Sequence, residues 1–209
     1  MKLYYDISTC SLTPHIVLRE AGLEFDLEWV DLKSLKTASS ADFNQINPKS
    51  YVPVLELDDG QFLTEGAPMV QYIADLALET NLIPPVGSIE RYRVAEWLTF
   101  ISVELHRVFT PLFSSDFPTG ILEAARKNLF GRFDYLAEHL AERQYLLGDR
   151  FTVADTHCLT ILNWGQFVDV DLSPWPALTS YVERVKARPK VQEAMQAEAA
   201  NYQGAKLDG

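Results

Sequence analysis

The sequence predicts two domains, a small α/β domain followed by an all-helical one. Three observations carry this. Strand and helix patterns alternate over the first 80 residues. The stretch Pro84-Pro85-Val86-Gly87 then interrupts the chain. Every pattern beyond it repeats at helical spacing. The boundaries read as 1–80, a linker at 81–87, and 88–209, and 209 residues suffice for one large or two small packed domains.

The elements follow in order. Residues 2–5 form a short apolar strand, and residues 11–21 an amphipathic helix that Gly22 can close in the left-handed cap position. Residues 28–32 alternate polar and apolar side chains as a strand does, which makes a strand–helix–strand unit with a parallel pair. Residues 33–45 read as a loop with a short helix. A strand at 52–57 begins at Pro53, turns at Asp58-Asp59-Gly60 and returns at 61–64. Glu65-Gly66 opens a helix to about residue 78.

Beyond the linker a long helix covers 88–113, with Trp97, Ile101, Leu105, Val108 and Leu112 on one face. Helices at 121–141, 153–167, 177–187 and 191–199 follow, and residues 204–209 read as a loose tail. A reactive loop after the first strand, in this order of elements, is the thioredoxin-like arrangement.

Cys10 stands in that loop, where the first helix begins. Unpaired amides and the positive end of the helix dipole lower a thiol pKa at such a place. A thiolate there attacks disulfides or holds a sulfur ligand. Position alone leaves open the alternative of a small buried side chain. The only other cysteine, Cys158, reads as an inert core thiol. Thr13 stands three residues after Cys10, so dithiol chemistry is disfavoured.

Composition excludes other classes. A net charge of -11 without basic runs argues against nucleic acid and anionic membranes as partners. Two cysteines give no disulfide framework and no metal spacing, so no metal is expected. No signal peptide or bilayer-length apolar run is apparent, and a cytoplasmic protein with reduced thiols is expected.

Other positions can carry chemistry, each beside a plainer role. Pro53 reads as a trans proline starting an edge strand, while a cis Val52-Pro53 bond would turn the Val52 backbone towards a peptide ligand. Glu65 and Gly66 at a helix start suit a carboxylate or ammonium ligand, or Glu65 simply favours the dipole. Thr99, Ser102, His106 and Thr110 form a polar stripe flanked by Val103 and Arg107, either solvated or facing the Cys10 cleft. Thr152 and Asp155 make a capping box with Phe151 as staple, a structural role. Trp164 is core or covers a ligand cleft.

Together these residues resemble the bacterial beta-class glutathione transferases. The likeness rests on Met1-Lys2-Leu3-Tyr4-Tyr5, Cys10-Ser11-Leu12, Pro14-His15-Ile16-Val17-Leu18-Arg19-Glu20, Asn47-Pro48-Lys49, Val52-Pro53-Val54-Leu55 and Leu63-Thr64-Glu65-Gly66. It continues through Glu96-Trp97-Leu98, Glu104-Leu105-His106 and Phe151-Thr152-Val153-Ala154-Asp155, and covers nearly the whole chain. The resemblance implies a thioredoxin-like domain, an all-α domain, a homodimer and a glutathione co-substrate. It implies a cis Val52-Pro53 bond, Val52 pairing with the cysteinyl backbone, Glu65 and Gly66 holding the γ-glutamyl end, and Cys10 and His106 at the glutathione sulfur. Leu35, Thr99, Val103 and Arg107 fall at further glutathione-binding positions, Leu35 standing where the family usually has Lys, Thr99 where it has Asn, and Arg107 where it has Lys. Lys49-Ser50-Tyr51 replaces a common Lys-Gly-Gln.

The implied activity is conjugation of glutathione to small apolar electrophiles, monothiol disulfide exchange at Cys10, or both. The electrophile pocket falls on Ser8, Thr9, Phe109, Phe113 and Trp164. The rival is a non-enzymatic ligand carrier or partner-docking protein on the same fold, which Leu35 favours.

Overall fold

The computed structural model describes residues 1–207. They divide into two compact units, Met1–Leu82 together with the stretch from Arg188, and Ile83–Ala187. The sequence reading kept everything after 88 in one helical domain; the structure instead packs the last helix with the strand-bearing unit.

In the first unit, β1 (Lys2–Tyr5) pairs in parallel with β2 (Asp26–Asp31) after the crossover helix α1 (Leu12–Glu20). β2 is bordered by the short β3 (Lys36–Thr37), and α2 (Phe43–Ile46) follows. β4 (Val54–Glu56) runs antiparallel to β1 and hairpins into β5 (Phe62–Thr64), giving the sheet order β3-β2-β1-β4-β5. The predicted turn is present, with Gly60 at φ 82, a conformation that glycine adopts without a Cβ penalty. α3 (Gly66–Asp75) ends three residues before the position the sequence suggested. The fold class and the thioredoxin-like order of elements are those expected.

β1 is the central strand, and Leu3, Tyr4 and Tyr5 are buried accordingly. Tyr4, Val30, Phe43, Val52 and Val54 form an apolar cluster, on which Leu32, Leu35 and Ile46 also pack. α1 lies against α3 and against α9 (Pro189–Leu207). The last helix therefore begins before 191 and runs into the stretch read as a tail; residues 208 and 209 lie outside the described residues. Polar anchors explain its attachment. Arg188 donates to both Glu20 oxygens (2.7 and 2.8 Å), and Glu198 is buried beside α1.

In the second unit, α4 (Ile89–Phe100) continues through a π-helical stretch, Ile101–His106, into α5 (Arg107–Phe109) and a 3-10 turn, Thr110–Phe113. The buried face is Trp97, Ile101, Leu105 and Phe109, whereas Val108 and Leu112 are only partly buried. Four residues overshoot one α turn and fall short of one π turn, so the π stretch keeps an i+4 series on a single face. Uniform α-periodicity therefore picked Val108 and Leu112 where the structure uses Phe109.

α6 (Thr119–Leu140) buries Leu129, Phe133, Leu136 and Leu140 at helical spacing. α7 (Val153–Leu162) is buried on all sides and packs against α4 and α8 (Pro176–Lys186). The predicted helix at 153–167 tightens into a 3-10 turn at Asn163–Phe167. The capping box forms as expected, Thr152 accepting at the helix start and Asp155 reaching back to the Thr152 amide. Asp155 also accepts from the Leu146 amide (2.9 Å) and the Tyr181 hydroxyl (3.0 Å), which ties α7 to α8. Among the described residues no helix is long and apolar enough to cross a membrane.

Candidate active site

The loop between β1 and α1 is built by its own polar side chains. Asp6 Oδ1 accepts from the Ile7 amide (2.8 Å) and the Trp29 indole (2.9 Å). The Asp6 carbonyl accepts from the hydroxyls of Thr9 (2.9 Å) and Ser11 (3.0 Å), and Ser11 is wholly buried. That commitment removes Ser11 as an alternative nucleophile. Tyr4 is excluded too: its hydroxyl donates to Glu56 (2.8 Å), and burial with that carboxylate pushes its pKa up.

A third element holds the loop. The Ser8 amide, at φ 60, donates to Glu198 Oε2 (3.0 Å). Glu198 Oε1 lies 3.1 Å from His15 Nδ1, and Arg19 Nε donates to His15 Nε2 (2.9 Å). Since Nε2 accepts, the neutral ring carries its proton on Nδ1 and gives it to Glu198. His15 is fully buried, and Glu198 had no local signal because its partners are 183 and 190 residues away.

Cys10 closes this loop, partly exposed. Its thiol donates to the Val52 carbonyl (3.3 Å), and the Val52-Pro53 bond is cis. A donating thiol is a protonated one. Tight packing around the sulfur pushes the pKa up to about 12, the residue's own amide pulls it down by less, and the negative charge of Glu65 adds to the rise. The expected lowering at a helix start is thus overturned: desolvation outweighs the amide there. Cys158 is fully buried, and burial raises its thiol pKa as well.

Glu65 precedes α3 at φ 69, with its side chain half-exposed. Its Oε1 accepts from Lys49 Nζ (2.6 Å) and the Tyr51 hydroxyl (2.8 Å). Gly66 is the first residue of α3, and a Cβ there would meet nothing within 4 Å. Leu35, at φ 54, packs on the apolar cluster, which accounts for a leucine at that position.

In the helical unit, the stripe hydroxyls bond back to their own helix. Thr99 Oγ1 donates to the Ala95 carbonyl, Ser102 Oγ to that of Leu98, and Thr110 Oγ1 to that of His106. Val103 and Arg107 are exposed. Trp164 gathers three candidates edge-on: His106 at 4.7 Å, Phe113 at 5.3 Å and Phe109 at 6.2 Å between ring centres. Phe113 is half-exposed, while Phe109 is fully buried and Trp164 nearly so; these two form the backing of that group and not an open wall. His157, behind the stripe, lies 3.1 Å from Ser102 Oγ, and burial drives its pKa down to about 3. Among the described residues no three metal-binding side chains come together.

Comparison with known proteins identifies the family. The sequence model described as "Glutathione S-transferase, N-terminal domain" matches residues 7–76, and "Glutathione S-transferase, C-terminal domain" matches residues 100–189. The chain is 41% identical to glutathione S-transferase GstA of Escherichia coli O157:H7 over 95% of its own length and 98% of the relative's. It is similar to the structure of a sphingomonad glutathione S-transferase complexed with glutathione (TM-score 0.92, 38% identity, 95% of this chain and 99% of that one). It is also similar to the bacterial beta-class enzyme of Sphingomonas chungbukensis (TM-score 0.91, 38% identity, 95% and 98%). The chain belongs to the glutathione S-transferase family and is an enzyme of bacterial beta-class type.

Proposed function

We propose that this glutathione transferase binds glutathione beside Cys10 and conjugates it to small apolar electrophiles. The observation that carries this is the Cys10 thiol itself, protonated and donating to the Val52 carbonyl. A thiol poised as a donor can redirect its hydrogen bond to a glutathione thiolate and stabilise the attacking sulfur. The thiolate then attacks the electrophile, and the leaving group departs with its electron pair. Val52 and Pro53 are proposed to face the cysteinyl backbone, and Glu65 and Gly66 the γ-glutamyl end. Thr99, Val103, His106 and Arg107 are proposed as further glutathione-binding groups, with His106 supporting the sulfur. Leu35 contributes shape and no charge.

For the electrophile, half-exposed Phe113, backed by Trp164 and Phe109, supports an apolar second substrate, with Ser8 and Thr9 as lining groups on the Cys10 loop. Disulfide exchange is the second reading, favoured by the partial exposure of Cys10. There the Cys10 sulfur gives up its proton as it attacks a glutathione disulfide, forming a mixed disulfide and releasing one glutathione, which takes that proton.

A homodimer is part of the proposal. Ile89, Tyr92 and Val103 are exposed on the helix that begins with α4. Beside them, a groove of about 780 Å³ is lined by Trp97, Phe100 and Tyr135 with Arg93, Arg132 and Arg143. An apolar floor with a charged rim suits a second copy of this acidic chain. Two free thiols fit a reducing cytoplasm.

The test compares wild type with Cys10→Ala in two assays, conjugation to an aromatic halide and reduction of a glutathione mixed disulfide. Loss of the second with partial retention of the first is expected. Unchanged rates in both would remove Cys10 from the mechanism.

A further inference from the structure

We propose that Lys49 and Tyr51 form a latch on Glu65, and that the ammonium group of a γ-glutamyl ligand must displace Lys49 to bind. The inference rests on the reading of Glu65 as the ammonium subsite.

The latch has a fixed base. Asn47 is buried; its Oδ1 accepts from the Lys49 amide (3.1 Å) and its Nδ2 donates to the Tyr51 carbonyl (2.7 Å). Between them Ser50 sits at φ 60, its amide bonded to the Asn47 carbonyl (2.9 Å) and its hydroxyl to Asn44 Oδ1 (2.7 Å). This turn sets Lys49 and Tyr51 side by side, with the Lys49 ammonium 5.7 Å from the centre of the Tyr51 ring.

Both donors converge on one atom. Lys49 Nζ and Tyr51 Oη both reach Glu65 Oε1, and Lys49 Nζ also donates to Thr64 Oγ1 (3.0 Å). Glu65 itself lies at φ 69 at the start of α3. A carboxylate flanked by a hydroxyl, holding an ammonium, is the donor–acceptor set a ligand ammonium would use. Here the chain supplies the ammonium itself. Because Lys49 is tethered, it competes at a high effective concentration.

Ligands differ in their ability to open this latch. An ammonium replaces the pair it breaks, whereas a neutral or anionic head group leaves Glu65 with Lys49. Lys49 and Tyr51 are therefore specificity-determining residues of the γ-glutamyl subsite. The pair is half-exposed, so its removal changes affinity only about two- to fivefold.

Calorimetric titration of the full chain with reduced glutathione tests this. Lys49→Met is expected to lower Kd about two- to fivefold, and Tyr51→Phe to lower it less. A Kd that rises or stays unchanged in Lys49→Met overturns the latch, a rise meaning that Lys49 is itself a ligand-binding cation. Glu65→Gln separates the two levels of inference. Weaker binding in that variant supports Glu65 as the ammonium subsite, whatever Lys49→Met does. Unchanged binding overturns the subsite and the latch together.

Discussion

Replacing Asp155 by asparagine isolates the polar junction that organises the helical unit. The carboxylate is wholly buried and receives two donors on each oxygen: the Leu146 amide and Tyr181 hydroxyl on Oδ1, the Thr152 amide and hydroxyl on Oδ2. Asparagine has one acceptor oxygen, so either way two donors face its NH2 group. In each pair the hydroxyl can rotate away but the backbone N–H cannot. A stranded buried donor costs about 1–3 kcal/mol, and the lost charge-assisted bond adds about 1 kcal/mol more. Asp155→Asn should therefore lose about 2–4 kcal/mol, a large share of a typical 5–15 kcal/mol stability. Burial pushes the Asp155 carboxyl up to about 6, so the assay belongs at pH 8, where the wild type is ionised. The readout is denaturant unfolding followed by tryptophan fluorescence. A loss below about 0.5 kcal/mol would refute the claim that four donors depend on this carboxylate.

Three further outcomes follow from the same structure. Cys10 is a neutral thiol with a pKa raised to about 12, so its iodoacetamide rate should climb about tenfold per pH unit from 7 to 10; a plateau below pH 9 would restore the helix-start lowering. Glu198→Ala strands the Ser8 amide and the His15 Nδ1–H, costing about 2–4 kcal/mol, and should speed hydrogen exchange at Ser8; unchanged exchange there would show that α9 does not hold the Cys10 loop. Thr152→Ala should cost about 1–2 kcal/mol, and combining it with Asp155→Asn should cost less than the sum, because the two share the Oδ2 contacts; additive losses would contradict the shared network.

Local grammar accounts for what the sequence made legible. The Asp58-Asp59-Gly60 turn, the parallel β1–α1–β2 crossover and the Thr152–Asp155 capping box are each written within a few residues, and each formed. The resemblance supplied the cis Val52-Pro53 bond, which the residues alone did not indicate. Cys10 was found by its position at a strand–helix junction, but its charge state was not. The helix dipole is visible in sequence; the packing around the sulfur and the Glu65 charge are not.

Distant partners stayed hidden. Glu198 lies in a stretch with a weak pattern, and only the folded chain brings it to Ser8 and His15. The Lys49–Tyr51 grip on Glu65 was visible only as a departure, Lys49-Ser50-Tyr51, without a stated consequence. Uniform helical periodicity placed Val108 and Leu112 on the buried face; the π-helical stretch at Ile101–His106 puts Phe109 in the core instead.

The central claim is that this chain binds glutathione at the Cys10 loop. Native mass spectrometry of the full chain with glutathione, with and without reductant, tests it most directly. The account predicts a complex carrying one glutathione per chain in reductant, a covalent adduct when glutathione disulfide is added without reductant, and loss of that adduct in Cys10→Ala. A chain that takes up no glutathione at millimolar concentration would contradict it.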